Sequence, residues 1–118
     1  MSAKDWDIVI GYASRLVASN PELHEAWIAW AYALRELNQV AEALAVLDRG
    51  VLIHGDTHPV FHYNLSSYHS LLGNFKLARM CLTLACEKDA SWELTAKTDP
   101  DLAPLWEHLA NSPVKQSY

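Results

Sequence analysis

Basic residues and cysteines are scarce in this sequence. Its 118 residues include 9 lysines and arginines against 14 aspartates and glutamates, so the formal net charge is −5. A chain with this charge has no positive field to attract a phosphate backbone or an anionic lipid surface, and we expect neither nucleic acid nor a membrane as a partner.

The 2 cysteines, Cys81 and Cys86, point about 140° apart around a helix, so we expect both thiols to stay unpaired.

Long apolar runs and a secretion signal are missing as well. No stretch reaches the roughly 20 apolar residues that span a bilayer, and no basic segment followed by an apolar run and a cleavage site opens the chain. We therefore expect a cytoplasmic protein. Only 4 glycines and 5 prolines occur and 51% of the residues are hydrophobic, which is typical of one globular domain. We expect that domain over residues 1–110 and a flexible tail over residues 111–118, which lack apolar periodicity.

Common catalytic motifs are also absent. The sequence has no Gly-rich phosphate loop, no HExxH and no GxSxG, and its acidic residues are spread over predicted helix surfaces and helix ends. Asp99 and Asp101 flank Pro100 and are typical of helix-capping residues. We expect no enzymatic activity and no cofactor.

Histidines provide the only pattern that suggests metal binding. His58, His62 and His69 are four and seven residues apart, so they could share one side of a helix and hold a divalent ion. Pro59 indicates instead that His58 lies at a helix start, and no acidic residue completes the stripe. We therefore expect structural roles for all three histidines and no metal site.

An internal repeat with a period of 35 residues is the strongest pattern in the sequence. Asn38 and Gly73 fall at equivalent places, and both residue types readily adopt the left-handed conformation that ends a helix. Each copy therefore predicts a helix, a tight turn and a second helix. The matching positions are Trp27, Trp30, Ala31, Leu34, Ala43, Leu47 and Gly50 in the first copy, and His62, Leu65, Ser66, His69, Ala78, Leu82 and Ala85 in the second.

This spacing resembles the tetratricopeptide repeat, whose signature is W-x2-L-G-x2-Y followed by A-x3-F and a late proline. The resemblance covers residues 5–90 and departs from the signature at several letters, including Trp30 for the leucine, Ala31 and Ser66 for the glycine, and the missing late proline. It implies an all-α, right-handed array of helix-turn-helix repeats, an α-solenoid of about five or six helices. Its parts are a lone second helix over residues 4–19, repeats over 24–54 and 58–89, and a short C-terminal cap over 90–110.

Packing between units accounts for most residues of the signature. One hairpin cannot bury its apolar face alone, so neighbouring units must stack. We expect Trp27 and Trp30 in the core, and Ala43 and Ala78 buried where helices cross closely.

The remaining residues of each first helix face a concave surface if the resemblance holds. Ile28, Tyr32 and Tyr63 have no core role there and would form an apolar anchor strip for a peptide or helix of a partner protein. Truncating Tyr63 should then weaken binding and leave stability nearly unchanged. The full predicted groove comprises Glu25, Ile28, Tyr32, Arg35, Glu36, Tyr63, Asn64, Ser67, Ser70 and Leu71.

Other interpretations fit the same residues. The protein could be a small dedicated chaperone for a secretion substrate, as some short members of this family are. Alternatively, the C-terminal helix or a second copy of the chain covers the surface, which would make the protein a homodimeric structural unit. A carboxylate clamp of the kind found in some family members is not expected, because Asn64 matches one clamp place whereas Ile28 and Tyr32 replace its lysine and asparagine.

Overall fold

The computed structural model describes residues 2–111, which form seven α-helices and one short 3-10 helix and contain no strand. The predicted all-α class is confirmed, and consecutive helices pack against each other. No helix in this part of the chain combines the length and the apolar character needed to cross a bilayer. The helices are α1 (Ala3–Ser19), α2 (His24–Glu36), α3 (Val40–His54), α4 (Val60–Leu71), α5 (Phe75–Lys88), α6 (Trp92–Thr98), the 3-10 helix (Pro100–Leu102) and α7 (Ala103–Asn111).

The expected count of five or six helices is wrong, and the difference lies in the cap. Asp99 is extended and caps the 3-10 helix, because its Oδ1 accepts a hydrogen bond of 2.9 Å from the Asp101 amide. Pro100 follows in the first turn, where its missing N–H costs nothing. The cap is therefore two short helices with a turn between them. Asn111 ends α7, and the rest of the predicted flexible tail lies outside the described residues.

The turns inside the two hairpins have the same geometry. Asn38 has φ of 62° and Gly73 has φ of 82°, and they are the positive-φ residues of the described chain. In the first turn the Gln39 amide donates to the Leu34 carbonyl at 2.8 Å, and in the second the Asn74 amide donates to the His69 carbonyl at 2.8 Å. These six-to-one bonds are those of a Schellman motif, which satisfies the last carbonyls of a helix. The predicted turn positions are confirmed.

Small residues lie where the helices cross. Ala43 and Ala78 have no exposed surface, as predicted, and Ala31 and Ser66 are equally buried at another pair of equivalent places. Ser66 Oγ donates to the Ala78 carbonyl at 2.7 Å, which satisfies a hydroxyl that burial would otherwise leave unpaired. Close approach of the helix backbones thus holds each hairpin together.

Aromatic residues fill the larger spaces of the first unit. Trp27 is buried, as expected, and its Nε1 donates to the Pro21 carbonyl at 2.8 Å. His54 Nε2 donates to the same carbonyl at 2.9 Å, so the loop before α2 is tied to both α2 and the end of α3. Trp30 is only partly buried, and the Arg49 guanidinium lies 5.6 Å from its ring centre. The tryptophan pair is therefore divided between the core and its edge.

Buried side chains form two clusters that meet at α4. Phe61, Leu65 and Tyr68 of α4 join the first cluster with side chains of α1, α2 and α3. Tyr63 of α4 joins the second cluster with buried side chains of α5, α6, the 3-10 helix and α7. Helix α4 is consequently buried on both sides, and the cap is part of the second core.

Candidate protein-binding surface

An apolar groove of about 380 Å³ runs along α2, and no residue among 2–111 fills it. Ile28 and Tyr32 lie one turn apart on α2, so both side chains face the same way. Val60 at the start of α4 forms the opposite side. We call this surface the α2 groove, and its lining residues are His24, Glu25, Ile28, Ala29, Tyr32 and Val60.

Tyr32 is the largest accessible side chain of the α2 groove, with 47% of its surface exposed. The Trp6 ring from α1 meets the Tyr32 ring edge-on, with 5.6 Å between ring centres and 70° between their planes. The Tyr32 hydroxyl donates to Glu36 Oε1 at 3.1 Å, and this hydrogen bond is the main reason why the pKa of Tyr32 is raised. Contacts at the ring and at the hydroxyl thus hold the side chain in place while about half of its surface stays accessible.

Tyr63, the third predicted anchor, is not accessible to a partner. Only 4% of its surface is exposed, because Trp92 of α6 stacks on its ring with 4.4 Å between centres. Its hydroxyl donates to Asp99 Oδ2 at 2.7 Å, and burial together with this hydrogen bond raises the pKa of Tyr63. The expectation that truncating Tyr63 would spare stability is therefore wrong, since the truncation would open the second core.

The cap also binds the predicted rim residue Arg35. Arg35 Nη2 donates to Asp101 Oδ1 at 2.6 Å and Nε donates to Asp101 Oδ2 at 3.1 Å, in a bidentate pair that joins α2 to the 3-10 helix. Arg35 Nη1 also lies 3.5 Å from Glu36 Oε2. These contacts raise the pKa of Arg35, with the Asp101 hydrogen bonds as the largest cause. The guanidinium charge is thus already neutralised within the chain.

The other predicted groove residues of α4 are mostly covered. Ser70 is fully buried and its Oγ accepts a hydrogen bond of 3.2 Å from the Leu105 amide of α7. Ser67 is buried and donates to the Tyr63 carbonyl at 3.3 Å, while Leu71 packs partly buried against the first cluster. Asn64 is partly exposed and lines an adjoining cleft, which Tyr32, Arg35, Glu36 and Ser67 also line. The predicted ten-residue groove is therefore split. Glu25, Ile28 and Tyr32 line the α2 groove, whereas Tyr63 and Ser70 lie under the cap. Ile28 is also partly buried against the first cluster, so the expectation that it has no core role is wrong.

Several residues that shape this surface were not among the predicted site residues. His24, Ala29 and Val60 line the α2 groove, and Trp6 contacts Tyr32. Asp99 and Asp101 hold the cap onto α4 and α2. Asp99 was correctly predicted as a helix cap, whereas the Asp101 side chain does not cap a helix. The side chains of Asp99 and Asp101 have partners 36 and 66 positions away in the sequence. No local pattern reveals such partners.

The candidate metal ligands have other contacts. His62 Nε2 donates to the Gly55 carbonyl at 3.2 Å. His69 Nδ1 accepts from the side-chain Nδ2 of Asn74 at 3.2 Å, and burial lowers the pKa of His69. The His58 ring stacks on the ring of His24 with 3.7 Å between centres. Among residues 2–111, no group of three or more His, Cys, Asp or Glu side chains is arranged to hold a metal ion.

Excess Zn²⁺ or Ni²⁺ is accordingly expected to leave the melting temperature unchanged. A metal that binds only the folded state would add about 2.7 kcal/mol at a concentration 100 times its Kd, which a thermal melt would detect. Differential scanning fluorimetry of the parent and of His62→Ala, each with and without metal, measures this. A metal-dependent rise in the parent that disappears in His62→Ala would contradict the structural role of the histidines.

Comparison with known proteins gives no relative whose function could be proposed for this chain. No protein-family model, curated protein or solved structure matches the chain. The resemblance to the tetratricopeptide repeat stays a hypothesis that depends on the residues of the two units. Chemically, the α2 groove can offer apolar contact from Ile28, Tyr32 and Val60, and its rim can offer carboxylates.

Proposed function

We propose that the protein is a non-enzymatic, cytoplasmic binding module of the tetratricopeptide type that holds an amphipathic segment of a partner protein in the α2 groove. The observation that supports this most directly is the accessible Tyr32 ring, which is fixed by Trp6 and Glu36 beside Ile28 and Val60. A rigid, half-exposed aromatic side chain in an apolar groove is the kind of residue that dominates binding energies. In this proposal the cap covers Tyr63 and Ser70 of the second unit and binds Arg35 of the first, and it leaves the α2 groove to a partner.

Charge at the rim defines the chemistry of the partner. The α2 groove and the adjoining cleft are lined by four carboxylates, those of Glu25, Glu36, Asp99 and Asp101. Arg35 is the one guanidinium in that set, and Asp101 and Glu36 already pair with it. The rim therefore favours a segment with apolar residues on one face and lysine or arginine beside them, since complementary charge speeds association and selects partners.

The test uses a library of random peptides displayed on phage and selected against the folded protein. We expect the enriched peptides to combine apolar residues at helical spacing with basic residues. A synthetic copy of the best peptide should bind Tyr32→Ala about 30-fold more weakly than the parent, which is the loss of one hot-spot aromatic side chain. Fluorescence anisotropy measures both affinities, and circular dichroism checks that the variant is folded.

Leu52→Ala is the matched control, because Leu52 is 86% exposed on α3 and does not line the α2 groove. This variant should bind the peptide as the parent does. Enriched peptides that bind the parent and Tyr32→Ala alike, or that are predominantly acidic, would contradict the proposal.

A further inference from the structure

Helix α1 carries an apolar stripe that no described residue covers. Ile8, Tyr12 and Leu16 follow each other at intervals of four and are 50%, 64% and 46% exposed. The opposite side of α1 is buried through Ala13 and Val17, and Ile10 packs against the first core cluster. The helix is thus apolar on two sides, and only one of them has a partner within residues 2–111. We call Ile8, Tyr12 and Leu16 the α1 stripe.

Two opposite charges flank the α1 stripe symmetrically. Asp5 and Arg15 are each five positions from Ile10, just as Ile8 and Tyr12 are each two positions from it. Since Ile10 faces the core, these four residues lie on the outer side of α1, with the two charges about 40° to either side of the line opposite Ile10. Neither Asp5 nor Arg15 forms an ion pair with another residue of the described chain.

Both charged side chains are held near the outer face. Asp5 Oδ2 closes the capping box by accepting from the Ser2 amide at 3.1 Å, and the same oxygen lies 3.0 Å from Ser2 Oγ. The Arg15 guanidinium lies 5.2 Å from the centre of the Tyr12 ring, in a cation-π contact. The negative charge therefore lies before Ile8, and the positive charge lies after Tyr12, beside Leu16.

We propose that the α1 stripe is a homodimer interface in which the α1 helices of two copies pair antiparallel about a two-fold axis opposite Ile10. Such an axis places Ile8 against Tyr12 of the second copy, and Asp5 against Arg15 of the second copy, each contact occurring twice. In the antiparallel arrangement Ile8 and Tyr12 of the two copies pack together at the centre. An Asp5–Arg15 pair on each side of this centre neutralises the charges. A parallel pair would place Asp5 against Asp5 and Arg15 against Arg15, which like-charge repulsion disfavours.

This interface is separate from the α2 groove. Trp6, the residue of α1 that contacts Tyr32, is about 120° around the helix from Tyr12. Self-association through the α1 stripe therefore leaves the α2 groove open, and the two proposals can fail independently.

Charge reversal tests the antiparallel pairing directly. Asp5→Arg makes both flanking positions basic and Arg15→Glu makes both acidic, so each variant repels itself at two contacts of the dimer. A mixture of the two variants restores attraction at both contacts. We expect the parent to dimerise in sedimentation velocity, each variant alone to have a dimer dissociation constant at least about tenfold higher, and the equimolar mixture to return to within about threefold of the parent.

Two controls separate the interface from folding and from the α2 groove. Ser2→Ala also removes the capping box that Asp5→Arg breaks, but it leaves the stripe and its charges intact, so it should dimerise like the parent. Tyr32→Ala should dimerise like the parent, and Arg15→Glu should still bind the selected peptide.

Several outcomes would overturn the proposal. A parent that stays monomeric up to about 1 mM would exclude a useful self-interface. A dimer that survives in both single variants, or a mixture that associates no better than its components, would place the contact elsewhere. Loss of dimerisation in Ser2→Ala would show that the Asp5 substitution acts by breaking the capping box of α1 and not by breaking the charge pairing.

Discussion

Leu105→Ala is expected to destabilise the protein by about 3 kcal/mol and to lower its melting temperature by roughly 10 °C. Leu105 is fully buried in the second cluster, in contact with the same core as Tyr63, Ala96 and Leu102. Truncation removes a buried side chain and leaves a cavity that α7 cannot close freely, because the Leu105 amide is held by Ser70 Oγ. Thermal and urea unfolding, followed by circular dichroism, measure the loss.

The control for this prediction is the same substitution on an exposed side chain. Leu52 is 86% exposed on α3, so Leu52→Ala should change the free energy of unfolding by less than about 0.5 kcal/mol. Equal effects of the two substitutions would mean that the cap does not belong to the folded core. That result would also reopen Tyr63, Ser67 and Ser70 as residues available to a partner.

Gly50→Ala should destabilise the protein by about 1–3 kcal/mol, although alanine is the better helix former. A Cβ atom at Gly50 would lie 2.8 Å from Phe61 Cε2 and 3.1 Å from Trp27 Cδ2. Neither ring can retreat easily, because Phe61 is fully buried and Trp27 is tied to the Pro21 carbonyl. Glycine is therefore required at this crossing of α3 with α2 and α4.

Gly11→Ala is the matched substitution in another helix, with the opposite expected sign. A Cβ atom at Gly11 would have only the Arg15 guanidinium within 4 Å, at 3.7 Å, so it fits without strain. This variant should be more stable than the parent by about 0.5–1 kcal/mol, the usual gain from replacing glycine inside a helix. Urea unfolding of both variants tests the pair, and stabilisation by Gly50→Ala would contradict the described packing of Phe61 and Trp27.

The sequence predicted those parts of the fold that depend on residues close together in the chain. Asn38 and Gly73 were identified from a local turn pattern, and their left-handed backbone needs nothing beyond the residues around them. Ala43 and Ala78 were identified from the period of the repeat, which reports the spacing of buried positions along a helix. Asp99 was likewise predicted as a cap, because the capping hydrogen bond joins residues only two positions apart.

The candidate site was predictable only in its first half. Tyr32 stays half exposed because the cap, which covers Tyr63, does not reach its ring, and Ile28 beside it is partly buried against the first cluster. Tyr63 occupies an equivalent stretch of its helix, but Trp92 and Asp99 cover it. Whether an aromatic side chain is an anchor or a core residue thus depends on contacts about thirty positions away, which neither periodicity nor composition encodes.

Helix α4 has a consequence for how the protein unfolds. It is the described helix that contributes buried side chains to both clusters, with Phe61, Leu65 and Tyr68 on one side and Tyr63 on the other. In an array whose units touch only their neighbours, the free energy of each shared interface sets how strongly adjacent units melt together. Because two clusters share α4, loosening of α3 or of the cap exposes one side of it while the other stays packed. The amide protons of α4 should therefore be the last to exchange with solvent, and its packing couples both ends into one cooperative transition.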